Sequence, residues 1–298
     1  MKQPSAILTS DIHIQSKNPV CRKDDYLEAL GYKLKWVSNL QRQYNCPILD
    51  AGDLLNSWKI DPELEQWCIK NIPKEFRTII GNHDMPSHNI SLFRKGSLSL
   101  LNTVRSIQLL SNGVEFKGFN VTGLHYGQEL EYTPTGNVNV LVSHEMVCKE
   151  KQKHDHFTYS TAKTLLKKYS KFNLVVTGHS HESFEVEYQG RKLVNVGSLM
   201  RRDINQKDYQ PRVALWYAED NRIEWIDVPI TDFVISTKHK DVIKLRDERI
   251  DSFVDKLKDS ENIGISFEDN LEKHFEINNT DEVYKKKIYN SMEIKGDR

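Results

Sequence analysis

Two histidines one residue apart, His179 and His181, follow a short apolar run over residues 174–177. Neutral imidazoles at the end of a buried strand are good ligands for Zn, Mn or Fe. Alternate side chains of an extended backbone point to opposite sides, so we expect a bend at Gly178 to bring both rings into one pocket. The same spacing also occurs in ordinary loops, and the prediction of a metal site therefore depends on what other runs contribute.

Four further apolar runs end in side chains that can bind metal. These side chains are Asp11 and His13, then Asp53, then Asn82, His83 and Asp84, and finally His144. Ligands of open α/β sheets collect at the carboxyl ends of the strands. Leaving His83 and Asp84 aside, two carboxylates, one amide and four imidazoles would meet there, which suits two ions bridged by one carboxylate. Mixed nitrogen and oxygen donors favour Mn²⁺, with Fe or Zn as alternatives, over Mg or Ca.

Two ions about 3.5–4 Å apart suit the hydrolysis of phosphoesters. They bind phosphoryl oxygens, lower the pKa of a shared water and stabilise charge that develops on phosphorus. Each motif alone has an ordinary interpretation, such as a Gly-Asp turn, a helix cap or a surface histidine. All five interpretations would have to hold together to remove the predicted site.

The elements that must position these residues follow from hydrophobic periodicity. Apolar runs before each motif predict strands, and leucines at spacings of three and four predict a helix from Asp25 to Tyr44. We also predict helices over 61–71 and 161–169 and a weaker one over 91–104, interrupted by Gly96. Glycines punctuate an alternating stretch over 107–130, which predicts hairpins. Four strands between residues 184 and 228 are predicted to form one antiparallel meander.

Composition limits the class of protein. The 298 residues carry 42 basic and 42 acidic side chains, so a nucleic-acid contact would need a local patch of charge. The four cysteines lack paired spacing and suggest free thiols in a reducing compartment. No apolar run approaches the roughly 20 residues that span a bilayer, and no leader precedes the first strand. We therefore expect a cytoplasmic protein that does not enter a membrane.

The composition changes near residue 232. The following residues are highly charged, and amphipathic patterns predict helices over 241–258, 266–275 and 281–293. We predict a catalytic domain over residues 1–231 and a helical C-terminal extension over 232–298, which could bind a partner or DNA.

Taken in order, Asp11-x-His13, Gly52-Asp53, Gly81-Asn82-His83-Asp84, His144 and Gly178-His179-x-His181 resemble the signature of the calcineurin-like metallophosphoesterases. The resemblance covers roughly residues 5–230 and implies a four-layer α/β/β/α sandwich. It implies that the first metal is held by Asp11, His13 and His181, the second by Asn82, His144 and His179, and that Asp53 bridges them. His83 would be the catalytic histidine that faces the scissile phosphate without binding metal, and Asp84 would orient it.

Residues 195–202 and 211–215 resemble the segment that follows the last motif in SbcD-type DNA repair exonucleases and their phage relatives. This resemblance implies DNA as substrate, a partner ATPase of the SMC-like SbcC type and the possibility of a homodimer. Arg201 and Arg202 are expected to contact the substrate phosphate. Two alternatives stay open: a phosphatase or phosphodiesterase acting on a nucleotide, small molecule or phosphoprotein, and a non-catalytic scaffold. We expect a structural role for His125 and Tyr126, with an approach to the site as the alternative.

Overall fold

The computed structural model describes residues 3–150, 159–236, 267–277 and 280–293. The chain divides into two compact units, Met1–Thr237 and Lys238–Arg298. The predicted domain boundary at residue 231 stays a prediction. Residues 232–236 belong to the first unit. The Ser236 amide, for example, donates to the Cys21 carbonyl at 2.7 Å.

The first unit contains all the described strands and four α-helices. Its strands are β1 Ala6–Thr9, β2 Ile48–Asp50, β3 Phe76–Thr78, β4 Gln108–Leu109, β5 Val114–Phe116, β6 Phe119–Leu124, β7 Asn139–Ser143, β8 Val147–Cys148, β9 Ser160–Thr161, β10 Leu174–Thr177, β11 Phe184–Tyr188, β12 Arg191–Asn195, β13 Arg212–Tyr217 and β14 Arg222–Asp227. Its helices are α1 Tyr26–Tyr44, α2 Pro62–Asn71, α3 Ser97–Thr103 and α4 Ala162–Lys168. Each predicted strand that precedes a metal motif is present.

Two six-stranded sheets form the centre of this unit. The first has the order β14-β13-β1-β2-β3-β4, and the second has the order β11-β12-β10-β7-β6-β5. The strands that lead to the five motifs pair in parallel, β1 with β2, β2 with β3, and β7 with β10. Their carboxyl ends therefore lie at one end of each sheet, as the positions of the motifs require.

Neighbouring residues of one strand belong to different layers. Leu8 and Val176 pack in a core between the two sheets, whereas Ile7 faces α1, α2 and α3, and Val175 faces α4. Successive side chains of a strand point to opposite faces, so a strand buried on both faces reads as a continuous apolar run. The predicted arrangement of helix, sheet, sheet and helix is confirmed.

The predicted meander over residues 184–228 is wrong. The hairpin of β11 and β12 joins the second sheet, where β12 pairs in parallel with β10. The hairpin of β13 and β14 joins the first sheet, where β13 pairs antiparallel to β1. Hydrophobic alternation is the same in either arrangement, so the sequence pattern does not reveal which sheet a hairpin extends.

Only β5 and β6 form a hairpin within 107–130, since β4 pairs with β3.

Aspartate side chains cap the N-termini of α1 and α2. Asp25 caps α1 by accepting from the Glu28 amide at 2.9 Å, and Asp61 caps α2, whose first residue is Pro62. Gly96 separates a 3₁₀-helix at Ile90–Lys95 from α3, in agreement with the predicted interruption.

The second unit contains helices α5 Phe267–Ile277 and α6 Glu282–Glu293, which agree with two of the predicted helices. The predicted helix at 241–258 lies outside the described residues. Within this unit the Phe275 and Tyr289 rings meet edge to face at 5.9 Å. No helix in the described parts of the chain is long and apolar enough to cross a membrane.

Candidate metal centre

The loops after β1, β2, β3, β7 and β10 bring the predicted ligands together. The possible ligand atoms form three overlapping groups. Within each group, all of these atoms lie within 4.8 Å of one another. The groups are Asp11 with His13 and His181, His13 with Asp53 and His83, and Asp53 with His144 and His179. Asp53 belongs to two of the three groups, which is the position that a bridging carboxylate requires.

The first predicted ion site is formed by Asp11, His13 and His181. His13 Nε2 lies 3.1 Å from His181 Nε2, and each of these atoms lies 3.8 Å from Asp11 Oδ1. Asp53 Oδ2 is also 3.8 Å from His13 Nε2. Asp11 and His13 are almost completely buried, so their polar atoms need partners within the site.

The second predicted ion site contains Asn82, His144 and His179. Asn82 Oδ1 lies 3.0 Å from His144 Nε2 and 2.9 Å from His179 Nδ1. The two imidazole nitrogens are 3.3 Å apart, and Asp53 Oδ2 is 3.4 Å from His144 Nε2. The second set therefore shares Asp53 with the first.

The donor set fits divalent cations because too many lone pairs face one another. His144 Nδ1 donates to the Ala51 carbonyl at 2.7 Å, so the neutral ring presents a lone pair on Nε2 towards the oxygens of Asn82 and Asp53. Acceptors this close repel unless a cation lies between them. The buried Nδ1 of His13 has no hydrogen-bond partner in the described parts of the chain.

Burial and neighbouring charges shift the pKa values of the residues in the metal centre. Burial lowers the pKa of His179 and of His181 to about 4, and the neighbouring cations His144 and Arg202 respectively add to the effect. Burial alone would lower the pKa of His144, but Asp53, Asp11 and the Ala51 carbonyl together outweigh burial and raise that pKa to about 9. Burial raises the pKa of Asp11 to about 7 against the attraction of His144. In the absence of an ion the neighbouring carboxylates favour a proton on His144, and an ion bound at the second site would displace that proton.

Four of the predicted ligands have a strained backbone conformation. Asp11, His13, Asp53 and His179 have φ values of 49°, 50°, 53° and 76°, in the left-handed region that costs about 1–3 kcal/mol for a residue with a side chain. A bend was predicted at Gly178, and the residue with positive φ is the next one, His179. Gly178 is needed for close approach, because a Cβ there would meet the Ser10 hydroxyl and the Ala51 carbonyl.

His83 lies at the edge of the cluster and is held by the backbone. Its Nδ1 is 3.0 Å from the Asn56 carbonyl, so Nδ1 carries the proton in the neutral ring and Nε2 faces inward, 3.9 Å from Asp53 Oδ2. Its side chain is 41% exposed, which leaves room for a substrate.

The predicted role of Asp84 is corrected by its hydrogen bonds. Its carboxylate accepts from the backbone amides of Asp53, Leu55 and Gly81 at 2.9–3.1 Å, and the partner of the His83 ring is Asn56 instead. Asp84 thus holds the loop that carries Asp53 beside the loop that carries Asn82. The carboxylate–imidazole pair was implied by the resemblance to the family, and the hydrogen bonds of Asp84 do not include the His83 ring.

The two arginines predicted to bind phosphate have different positions. Arg201 is 7% exposed, and its guanidinium donates to the carbonyls of Lys207 and Thr231. This makes Arg201 a structural residue and overturns its predicted contact with substrate. Arg202 donates to the Asn56 side chain, its buried Nε has no partner in the described parts of the chain, and its charge lowers the pKa of His13 and His181. Arg202 therefore lies beside the site.

Several supporting residues escaped the sequence analysis. Asn195 donates to the carbonyls of Ser180 and Glu182 at 2.8 and 2.5 Å, which fixes the loop that carries His179 and His181. Asp50 accepts from Thr9 on β1 and Thr78 on β3 and ties three strands together under the ligands. A buried polar residue on a strand is a weak signal for such roles, and Asn56 had no signal at all.

Tyr126 approaches the site, contrary to the structural role expected for it. Its ring centroid lies 6.1 Å from that of His144 and 5.9 Å from that of His179. His125 has the expected structural role, because its Nδ1 accepts from the Ile80 amide at 3.1 Å.

Comparisons with known proteins show the family of the chain. A family model described as the calcineurin-like phosphoesterase superfamily domain matches residues 5–220. No curated protein sequence matches the chain significantly.

Similar solved structures share about one residue in seven. A Staphylococcus aureus chain named as a 5′-nucleotidase, solved with alpha-ketoglutarate, is 15% identical with a TM-score of 0.47, and the alignment covers 82% of this chain and 58% of that one. An archaeal phosphodiesterase is 15% identical with a TM-score of 0.40 and coverage of 75% and 99%. A metallophosphoesterase from Sphaerobacter thermophilus is 14% identical with a TM-score of 0.39 and coverage of 76% and 89%. The chain thus spans 58% of the nucleotidase chain's length.

Proposed function

This chain belongs to the calcineurin-like phosphoesterase superfamily and is a metal-dependent phosphoester hydrolase, and from that premise we propose that it is a two-metal phosphodiesterase that acts on DNA. The observation that carries the proposal is the convergence of seven predicted ligands on two adjacent positions that share Asp53. Mn²⁺ fits the mixed nitrogen and oxygen donors best.

When bound, the two ions would act as Lewis acids on the phosphoryl oxygens and lower the pKa of a water. The chain's own residues supply positioning and proton transfer. Asp11, His13 and His181 would hold one ion, and Asn82, His144 and His179 would hold the other. Asp53 would serve both sites because its carboxylate lies beside His13 and beside His144, so a phosphate bound there would be positioned for attack by water.

His83 is proposed as the proton donor to the leaving oxygen. Its Nδ1–H is fixed by the Asn56 carbonyl, so Nε2 is the atom that delivers a proton on the side of the substrate. Water adds to phosphorus and loses a proton to the solvent, and the bond from phosphorus to the leaving oxygen breaks. The leaving oxygen takes the Nε2 proton of the His83 imidazolium, which becomes the neutral ring with its proton on Nδ1. The Asn56 side chain also accepts from Arg202. Asn56 therefore positions both His83, the proposed acid, and Arg202, which is proposed to bind a non-bridging oxygen of the phosphate.

DNA as the substrate is proposed from the sequence of residues 195–202 and 211–215. Asn195 fixes the metal-binding loop, and Tyr209, which lies between those two stretches, donates to the Ser198 carbonyl at 3.1 Å. These contacts give the SbcD-like segment a physical part in building the site. An SMC-like ATPase partner, a homodimer and a cytoplasmic location accompany this proposal as predictions.

The experiment is hydrolysis with Mn²⁺ of linear double-stranded DNA, single-stranded DNA, bis-p-nitrophenyl phosphate and p-nitrophenyl phosphate. The Asp53→Ala variant is compared with Asp227→Ala, which removes an exposed carboxylate paired with Arg212. We expect DNA to be degraded from its ends by the wild type and by Asp227→Ala but not by Asp53→Ala. Cleavage of the small diester alone would move the substrate to a small molecule, and preference for the monoester would indicate a phosphatase.

A further inference from the structure

A pocket of about 700 Å³ opens beside the second predicted ion site. His144 and His179 form its inner wall, and its sides include Leu124, Tyr126, Met146 and Tyr159. The two histidines are predicted ligands, so anything bound in the pocket touches the residues that hold the ion. Its volume lies in the range of sites for small organic ligands, about 300–1,000 Å³.

Tyr126 is fixed relative to the second ion site by the backbone. Its amide donates to the Ile80 carbonyl at 2.9 Å, and the preceding His125 accepts from the Ile80 amide. Ile80 is two residues before Asn82, so the aromatic ring and a predicted ligand share one rigid frame. The Tyr126 ring is tilted by 39° to His179 and by 65° to His144. The backbone at Tyr126 is therefore already in place beside the two histidines before a ligand binds.

The described lining residues favour an uncharged group over a second phosphate. Apart from the histidines, Glu145 is the one charged residue among the described residues that line the pocket. Its carboxylate already accepts from the Tyr169 hydroxyl at 2.7 Å and lies 4.0 Å from Lys168 Nζ. A negative group at this wall repels anions, whereas apolar and aromatic side chains favour an uncharged planar group. Gln128 and the Ser160 hydroxyl add polar partners for ring nitrogens or carbonyls.

The opposite side of the cluster has the complementary character. Arg202 donates to the Asn56 side chain, next to the His83 ring. That ring packs against His13 of the first ion site, while Tyr126 packs against the histidines of the second. A substrate is therefore expected to lie with phosphate oxygens towards Arg202 and an aromatic substituent towards Tyr126. A nucleotide unit has both parts.

We propose that the Tyr126 pocket binds one unstacked nucleobase of the substrate, attached to the phosphate that is hydrolysed. This inference rests on the proposed function and narrows it, because a base that is part of a continuous stack cannot enter the pocket. The substrate class is then a terminal or single-stranded nucleotide ester, and the base is held by stacking on Tyr126 and not by charge.

The test compares two esters that have the same reacting phosphorus and the same leaving group. Thymidine 5′-(4-nitrophenyl phosphate) carries a base, whereas methyl 4-nitrophenyl phosphate carries none. We expect kcat/KM to be roughly 5- to 150-fold higher for the thymidine ester, the range given by stacking of one base. The ratio of the two values cancels differences in metal occupancy, because both are measured on the same Mn²⁺-loaded sample.

Substitutions at Tyr126 test whether its ring causes the preference for the thymidine ester. Tyr126→Ala is expected to bring the ratio to within about threefold of one, and Tyr126→Phe, which keeps the ring, is expected to retain it. Tyr32→Ala removes a 66% exposed tyrosine on α1, away from the pocket, and should leave the ratio unchanged. Calorimetric titration with thymidine 5′-monophosphate and with methyl phosphate gives a second readout that does not depend on turnover, and its affinity ratio should follow the same order.

Each outcome has a defined meaning. Equal hydrolysis of both esters by the wild type overturns the nucleobase pocket and leaves the phosphodiesterase intact. A preference that survives in Tyr126→Ala places the base elsewhere and also overturns it. Hydrolysis of neither ester removes the proposed function together with the inference.

Discussion

Two clusters of buried charge lie on either side of the segment 198–202. One is the candidate metal centre, and the other is a basic cluster made of Arg22, Lys33 and Arg201. In the metal centre, carboxylate, amide and imidazole acceptors face one another at about 3–4 Å. In the basic cluster, three cationic side chains are packed together with Asp24, and Arg22 Nη2 lies 2.5 Å from Asp24 Oδ2.

The clusters differ in whether their hydrogen-bonding groups are matched. Lys33 donates to the Leu199 carbonyl at 2.9 Å, Arg22 donates to the Arg201 carbonyl at 3.0 Å, and Arg201 donates to two further carbonyls. The protein thus satisfies its basic cluster with its own backbone, while the acceptors of the metal centre still need cations. The comparison indicates that the metal centre, whose acceptors still need cations, is the functional cluster. The basic cluster, whose three cations each donate to a backbone carbonyl, holds residues 198–202 in place.

Asp53→Asn should have the largest effect, because it removes the carboxylate shared by both ion sites. We expect elemental analysis to find fewer than one ion per chain where the wild type binds two, and hydrolysis of bis-p-nitrophenyl phosphate to fall to background. Asp227→Asn makes the same chemical change at an exposed ion pair and should retain both ions. Two bound ions in Asp53→Asn would refute the bridging role.

His83→Leu should abolish most of the turnover while metal content stays at two ions. Loss of a general acid lowers kcat by roughly 10²- to 10⁴-fold, and the loss should be greater for an alkyl leaving group than for p-nitrophenolate, which needs no proton. His274→Leu in the second unit, where His274 is exposed, is the matched control. If metal is lost instead, His83 is a ligand, as its place in one of the three groups allows.

Arg202→Met and Arg201→Met should separate the two clusters. Arg202→Met removes a proposed contact to the phosphate, so kcat/KM should fall by roughly 10- to 150-fold, equivalent to one charged hydrogen bond. Arg201→Met leaves two carbonyl acceptors without donors and should lower the free energy of unfolding in urea by about 1–3 kcal/mol, with kcat/KM within about threefold of wild type. The reverse pattern would show that the two arginines have been assigned to the wrong sides.

The smallest effect is expected from the pH dependence of stability at Lys33. Burial, helped by Arg22 and Arg201, lowers the pKa of Lys33 to about 7 from 10.5. Between these two values the unfolded chain binds a proton that the folded chain does not, so stability rises with pH across this window. Lys33 should contribute a gain on the order of 2 kcal/mol from pH 7 to pH 9.

Lys33→Met isolates that contribution. Urea unfolding of both proteins at pH 6, 7, 8 and 9 should show that the wild type gains stability relative to the variant above pH 7. Lys35→Met, two residues along on an exposed part of α1, should show no such change. Parallel curves for the wild type and Lys33→Met would mean that Lys33 stays protonated in the folded protein.

The strands and the ligand residues could be read from the chain because they depend on local pattern. A run such as Leu174–Thr177 is buried on both faces, and the polar residues after it can only lie at its carboxyl end. Periods of two and 3.6 residues carry this information without reference to the rest of the fold. The positions of Asp11, His13, Asp53, Asn82, His144, His179 and His181 beside one another agree with that expectation, while their roles as ligands stay predictions.

Other features depended on contacts between residues far apart in the sequence. Three features leave no local pattern: the pairing of β12 with β10 and of β13 with β1, the Asn56 carbonyl behind His83, and the burial of Arg201 beside a partly exposed Arg202. Adjacent residues can have unlike roles, as Asp84 does beside His83, because their side chains point in different directions. The sequence by itself determined which side chains collect at the strand ends. Only the tertiary structure decided which of them face the site, because that choice depends on backbone turns and on partners supplied by other strands.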